Sequence, residues 1–139
     1  MAGLRKILLV EDDPQITEIY MSVLNYYHYE AVSAANYDEA LKQAKTFQPD
    51  LIFLDIMIPG RSGLDVLHTL RNDPQFMSQK KKIVLLTNLG ENHQIKEVLD
   101  KNQADGYVIK ANISAEDLHE IIQSLDTTVQ DEQSKAPSV

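Results

Sequence analysis

Residues 50–60 read Asp50-Leu-Ile-Phe-Leu-Asp-Ile-Met-Ile-Pro-Gly60, and their pattern decides the fold. Leu51 to Leu54 are apolar without alternation and run into a single acid, Asp55. A short unbroken apolar run is the pattern of a strand covered on both faces, as in parallel sheets. Pro59 and Gly60 then mark a turn. The stretch therefore predicts Asp55 at the carboxyl end of a central strand, facing the crevice where open α/β sheets place their ligands. Taken alone, an acid at a strand end is equally a turn former or a helix cap.

The rest of the chain supplies the context. Ile7-Leu-Leu-Val10 is a second such run, ending in Glu11-Asp12-Asp13-Pro14. Asp13 suits the capping position and Pro14 the first position of a helix. Helical spacing follows in Ile16, Ile19, Tyr20, Val23 and Leu24, and ends near Tyr27. Tyr29 to Ala34 is a short strand. Asn36-Tyr-Asp-Glu39 has the form of a capping box for a helix carrying Ala40, Leu41, Ala44 and Phe47, which Gln48-Pro49 stops. Ser62-Gly-Leu-Asp65 starts a third helix, with Leu64, Leu67 and Leu70, and Asn72-Asp-Pro74 ends it. Lys80-Lys81-Lys82 reads as the solvated entry to a strand, Ile83 to Thr87. A loop over Asn88 to Gly90 precedes a helix with Ile95, Val98 and Leu99. Asp105 to Ile109 is a fifth strand, closed by Lys110. Ser114-Ala-Glu-Asp117 opens a last helix with Leu118, Ile121, Ile122 and Leu125.

Strands alternate with helices through short connections, a (βα)5 pattern. It predicts the α/β class, with a doubly wound parallel sheet covered on both faces. Right-handed crossovers to both faces require a reversal of winding, which opens a crevice at the strands' carboxyl ends. At 139 residues the chain is expected to form one domain over 1–125. The segment 126–139 is polar and without period, and is read as a disordered tail. A net charge of −8 argues against a nucleic-acid surface, so no direct nucleic-acid partner is expected. The chain has no cysteine, no apolar stretch near the roughly 20 residues that span a bilayer, and no signal-peptide core at its start. These features predict a cytoplasmic protein without a membrane partner.

Polar residues collect where the pattern places the strands' carboxyl ends: Glu11, Asp12 and Asp13 after the first, Asp55 after the third, Thr87 after the fourth and Lys110 after the fifth. Clustered carboxylates raise one another's pKa unless a cation neutralises them. Oxygen ligands without His or Cys suit a hard cation, and Mg²⁺ is the usual one beside phosphate. A cation, a carboxylate, a hydroxyl and an ammonium together can hold a phosphoryl group while the carboxylate attacks phosphorus. His28, His68, His93 and His119 lie on separate segments without metal-ligand spacing.

Over residues 4–125 the chain resembles the receiver domains of two-component response regulators, especially the stand-alone, chemotaxis-type kind. The resemblance rests on Val10-Glu-Asp-Asp-Pro14, Leu54-Asp-Ile-Met-Ile-Pro-Gly-Arg-Ser-Gly63, Leu86-Thr87 and Asp105-Gly-Tyr-Val-Ile-Lys110. It implies a flavodoxin-like fold with strand order 2-1-3-4-5. It implies that Asp55 accepts a phosphoryl group from a histidine kinase or phosphotransfer protein and later loses it by slow autodephosphorylation. Asp13, Asp55 and the Met57 backbone carbonyl would bind Mg²⁺, with Asp12 acting through a metal-bound water. Lys110 would pair with Asp55 and then with a phosphoryl oxygen. Thr87 and Tyr107 would switch, although Tyr107 also fits as an ordinary strand aromatic. Met57 and Asn88 would modulate rates, and Glu11 reads as a solvated neighbour. A downstream protein would dock on the fourth helix, fifth strand and fifth helix, about residues 91–125, with the chain a monomer or a phosphorylation-linked dimer.

Two positions depart from the family pattern. Ala111 follows Lys110 where proline is usual, and a cis bond before a non-proline residue costs about 2.5–4 kcal/mol, so this peptide is either trans or held cis by its surroundings. Lys110 is still expected to reach Asp55 on its long stem. Asn88 follows Thr87 where a small residue is usual. Two other functions fit less of the pattern. A scaffold that only binds partners would not need the Asp12, Asp13, Asp55, Thr87 and Lys110 set. A haloacid-dehalogenase-like hydrolase would want a second Asp at position 57, which is Met. No G-x-G-x-x-G follows the first strand, which removes a dinucleotide-binding domain.

Overall fold

The structure, a computed structural model, describes residues 4–77, 81–88, 93–101 and 103–126. Five strands form one parallel sheet: β1 (Lys6–Val10), β2 (Glu30–Ala34), β3 (Leu51–Asp55), β4 (Lys82–Thr87) and β5 (Gly106–Ile109), in the spatial order β2-β1-β3-β4-β5. The winding reverses between β1 and β3, and that is the switch point at which such sheets open a crevice. Registers run Ile7 to Leu51 and Leu51 to Lys82, so the ends of β1, β3 and β4 lie side by side.

The helices are α1 (Pro14–Tyr26), α2 (Tyr37–Phe47), α3 (Gly63–Arg71), α4 (Pro74–Met77), α5 (His93–Asp100) and α6 (Asp117–Leu125). Strand residues alternate between two cores, as a pleated sheet buried on both faces requires. Ile7, Leu9, Phe53 and Val84 meet Tyr20 and Leu24 of α1 and Leu118, Ile121 and Ile122 of α6. Leu8, Val10, Ile52, Leu54 and Leu85 meet Ala40 and Ala44 of α2, Leu64 to Leu70 of α3, and Val98 of α5. All five residues of β3 are buried.

Local chemistry sets the helix starts. Asn36 caps α2 by accepting from the Glu39 N–H at 2.9 Å, and the Glu39 carboxylate accepts from the Ala35 N–H rather than from Asn36 itself. Ser62 and Asp65 complete a reciprocal capping box on α3. Pro74, read as a stop, also begins the short α4. Asp73 accepts from the Gln75 N–H at 3.0 Å, proline fits a first helical position, and Phe76 is buried. Lys81, expected to be a solvated strand entry, is 8% exposed.

No helix among the described residues is long and apolar enough to cross a membrane. The predicted tail after Asp126, and residues 91, 92 and 102 of the predicted docking face, lie outside the described residues.

Candidate functional site

Asp55 ends the central strand. β3 is hydrogen-bonded to β1 on one side and β4 on the other, and Ile56 N–H donates to the Leu86 carbonyl at 3.0 Å. The main chain on both sides of the carboxylate is thereby fixed. The Asp55 side chain is 4% exposed. Its Oδ1 accepts from the Met57 N–H at 2.9 Å, and its Oδ2 lies 3.0 Å from Lys110 Nζ. From behind, Gly63 closes on the strand end: its N–H donates to the Ile56 carbonyl at 2.7 Å, and a Cβ there would stand 2.1 Å from the Asp55 carbonyl oxygen. Glycine is required at this close backbone approach.

Glu11 is the first residue beyond β1, held by its N–H to the Ala34 carbonyl at 2.9 Å. It is 2% exposed, not solvated as expected. Its Oε1 lies 2.8 Å from Lys110 Nζ, and its Oε2 accepts from the Asp13 N–H at 3.1 Å. Carboxylate oxygens of Glu11, Asp12 and Asp55 lie within 4.8 Å of one another. Asp13 stands apart from this group. Its Oδ1 caps α1, accepting from Gln15 N–H at 2.9 Å and Ile16 N–H at 3.4 Å. The physical reason is that its Oδ1 is committed to the first turn of α1. The sequence held that signal, since the acid just before Pro14 is the natural cap and the two before it are left for the site.

Burial pushes the Glu11 carboxyl up from its ordinary value, Asp55 adds to that push, and the bonds from Lys110 and the Asp13 N–H oppose it. Burial alone would lower the Lys110 ammonium, but its bonds to Glu11 and Asp55 hold it above its ordinary value. Two buried carboxylates, Glu11 and Asp55, share one ammonium, and the exposed Asp12 beside them adds a further negative charge. The donor set is all oxygen, so it fits a hard divalent cation such as Mg²⁺ better than a soft one.

The remaining predicted residues lie on or just beyond β4 and β5. Thr87 is buried at the end of β4, next to β3. Tyr107 is half-buried on β5 opposite Leu85 and packs on the core of the α2–α5 face. Asn88 is exposed. Among the described residues every peptide bond is trans, so Lys110-Ala111 is trans, and a 3-10 turn over Lys110–Asn112 follows it directly. The lysine stem spans the remaining distance to Asp55. His119 is engaged elsewhere, with Nδ1 2.8 Å from the Tyr29 hydroxyl and its ring stacked 3.8 Å from that of Tyr27.

Known proteins share this fold and part of this sequence. The phosphate regulon transcriptional regulatory protein PhoB of Klebsiella pneumoniae is 38% identical over 106 residues, which are 76% of this chain and 45% of that protein. The DNA-binding response regulator MtrA of Mycolicibacterium smegmatis is 33% identical over 106 residues, 76% of this chain and 44% of that protein. The response regulator protein TrrA of Thermotoga maritima, solved in complex with Mg²⁺–BeF, superposes with a TM-score of 0.72 at 35% identity, over 87% of this chain and 98% of that one. The chain thus spans less than half the length of these curated relatives. Two expectations are affected. Absence of a direct nucleic-acid partner is overturned, because the relatives include a protein named as a DNA-binding regulator and another named as a transcriptional regulator. The similarity does not distinguish the stand-alone kind: the curated relatives are longer regulators, whereas the solved TrrA chain is covered to 98% of its length. The family described as the response regulator receiver domain matches residues 7–123, and with the strand order and the acid-lysine centre in place this chain belongs to that family.

Proposed function

We propose that Asp55 is the phosphoacceptor of a two-component phosphorelay. The supporting observation is that one buried carboxylate, oriented on Oδ1 by a backbone N–H and on Oδ2 by an ammonium, sits beside two further carboxylates at the switch point. An oxygen of Asp55 attacks the phosphorus of a phosphohistidine on a kinase or phosphotransfer protein. The P–N bond breaks, the imidazole takes up a proton, and an acyl phosphate forms. Water later attacks the same phosphorus, releases inorganic phosphate and returns the carboxylate.

Glu11, Asp12, Asp55 and the Met57 carbonyl would hold Mg²⁺, with Asp13 kept for the helix cap. When bound, the cation supplies charge neutralisation for the phosphoryl oxygens. Lys110 exchanges its contact with Asp55 Oδ2 for one with a phosphoryl oxygen, and the Thr87 hydroxyl, buried at the end of the neighbouring strand, would offer a second donor. Contacts made only after transfer bias the loop arrangement, with Tyr107 following, by a new charge of about −2. The relatives' names support control of a DNA-binding regulator as the class of output.

The test is incubation with Mg²⁺ and acetyl phosphate, followed by intact-mass measurement. Wild type should gain one phosphoryl group and Asp55→Asn none. Equal labelling of the two proteins would overturn the assignment, and turnover of an added phosphomonoester would favour a hydrolase.

A further inference from the structure

The turn that follows the site is held from outside by a residue of a different helix. Met57 begins it, with its N–H on Asp55 Oδ1 at 2.9 Å. Ile58 is buried, Gly60 takes a left-handed φ of 83°, and Pro59 to Ser62 are exposed. Within that exposed stretch the Arg61 guanidinium stands over the Tyr37 ring, 4.2 Å from its centroid. Tyr37 is the first residue of α2, and its hydroxyl lies 2.8 Å from Thr69 Oγ1 on α3. One half-buried tyrosine therefore grips both the turn and the helix after it. Arg61 also approaches Asp65 at 3.9 Å, but those side chains are 61% and 44% exposed, and a solvated i,i+4 pair contributes little. The ring contact is the better hold. It places the positive charge over an aromatic face whose own position is fixed by packing and by the Thr69 bond.

We propose that Tyr37 is a positioning residue of the site. Acting through Arg61, it fixes the turn, and the turn fixes the Met57 N–H that orients Asp55 together with the Met57 carbonyl assigned to the cation. Neither Tyr37 nor Arg61 reaches the reacting atoms; their effect passes along four residues of main chain. The functional consequence rests on the reading of Asp55 as acceptor, whereas the mechanical link from Tyr37 to Met57 does not.

The two are separated by measuring amide hydrogen exchange at Met57 by NMR in the metal-free protein, alongside calorimetric titration with Mg²⁺. Arg61→Ala should speed Met57 exchange about two- to fivefold, the range of a partly exposed cation–π contact, and weaken Mg²⁺ binding by a similar factor. Arg61→Lys should restore part of the loss. Tyr37→Phe keeps the ring but loses the Thr69 bond and should fall between wild type and Arg61→Ala, whereas Tyr37→Leu should match Arg61→Ala. The double variant Tyr37→Leu/Arg61→Ala should be no worse than either single one. Unchanged Met57 exchange in Arg61→Ala, or a Tyr37→Phe value equal to that of Arg61→Ala, would overturn the proposal, and both variants are mild enough to fold. Faster Met57 exchange in a protein that binds no Mg²⁺ and takes no phosphoryl label would sustain the link and remove the reading of the site.

Discussion

Lys110 Nζ lies 2.8 Å from Glu11 Oε1, closer than the 3.0 Å that separates it from Asp55 Oδ2. The buried glutamate is thus as much the lysine's partner as the strand-end aspartate. Glu11→Gln removes one attraction for the ammonium and one repulsion on Asp55, and the amide oxygen can still accept. The metal-free stability should therefore fall by only about 1 kcal/mol, well short of the roughly 3–5 kcal/mol for stranding a buried charge. Mg²⁺ binding should weaken about tenfold or more. Urea unfolding with and without the cation measures both.

Asp12 and Asp13 should separate cleanly. Asp13→Ala loses a helix cap and should cost about 1 kcal/mol of stability while Mg²⁺ affinity stays within about twofold. Asp12→Ala, at an exposed position, should leave stability nearly unchanged and reduce Mg²⁺ affinity about tenfold or more. Calorimetric titration of the two variants decides between them, and the opposite ranking would return Asp13 to the site.

Much of this was legible before any coordinates. The unbroken runs Ile7–Val10, Leu51–Leu54 and Ile83–Leu86 have no polar face to show, so the buried parallel sheet followed from them directly. Asp55 and Lys110 were legible because strand ends of one sheet must share a crevice. Glu11 was not. Proximity along the chain made three adjacent acids look interchangeable, and the one available signal, the capping preference of the acid before Pro14, was outweighed by it. The expectation for Lys81 failed for a related reason, because a run of three lysines looks solvated until the strand it enters proves to be an inner one.

Lys81 offers a pH test away from the site. Burial lowers its amine below the ordinary 10.5, Lys6 lowers it further, and Asp50 opposes them. For a depressed lysine, the folded state bears the cost of the charge at neutral pH, and that cost disappears once the amine is neutral in both states. Lys81→Met should therefore be more stable than wild type at pH 7, and the two should converge as pH rises through the lowered value towards 10.5. Thermal unfolding across that range tests it; a variant less stable at pH 7 would contradict the sign.

Gly63→Ala should destabilise by about 2–3 kcal/mol, because the added Cβ meets a backbone carbonyl and not a side chain that can turn away. Chemical denaturation gives the cost. Asp55 labelling in the surviving folded fraction should also slow, since the same carbonyl belongs to the proposed acceptor.

Asn88→Ala should shorten the acyl-phosphate half-life. The exposed amide next to Thr87 can donate to the phosphoryl group or crowd the approaching water, and one such hydrogen bond corresponds to about fivefold in rate. Decay of the labelled mass after removal of the donor gives both half-lives, and an equal or longer one in the variant would reject the role.

The placement of Asp55 on the middle strand has a consequence for how a signal could leave it. A strand bonded on both sides and buried throughout opens only when the whole domain does, so its amide hydrogens should be among the last to exchange. A phosphoryl group on Asp55, as proposed, would sit at the end of a strand held on both sides. Whatever reads it must lie among the surrounding turns, and the sheet itself acts as a fixed frame against which small displacements of those turns acquire meaning.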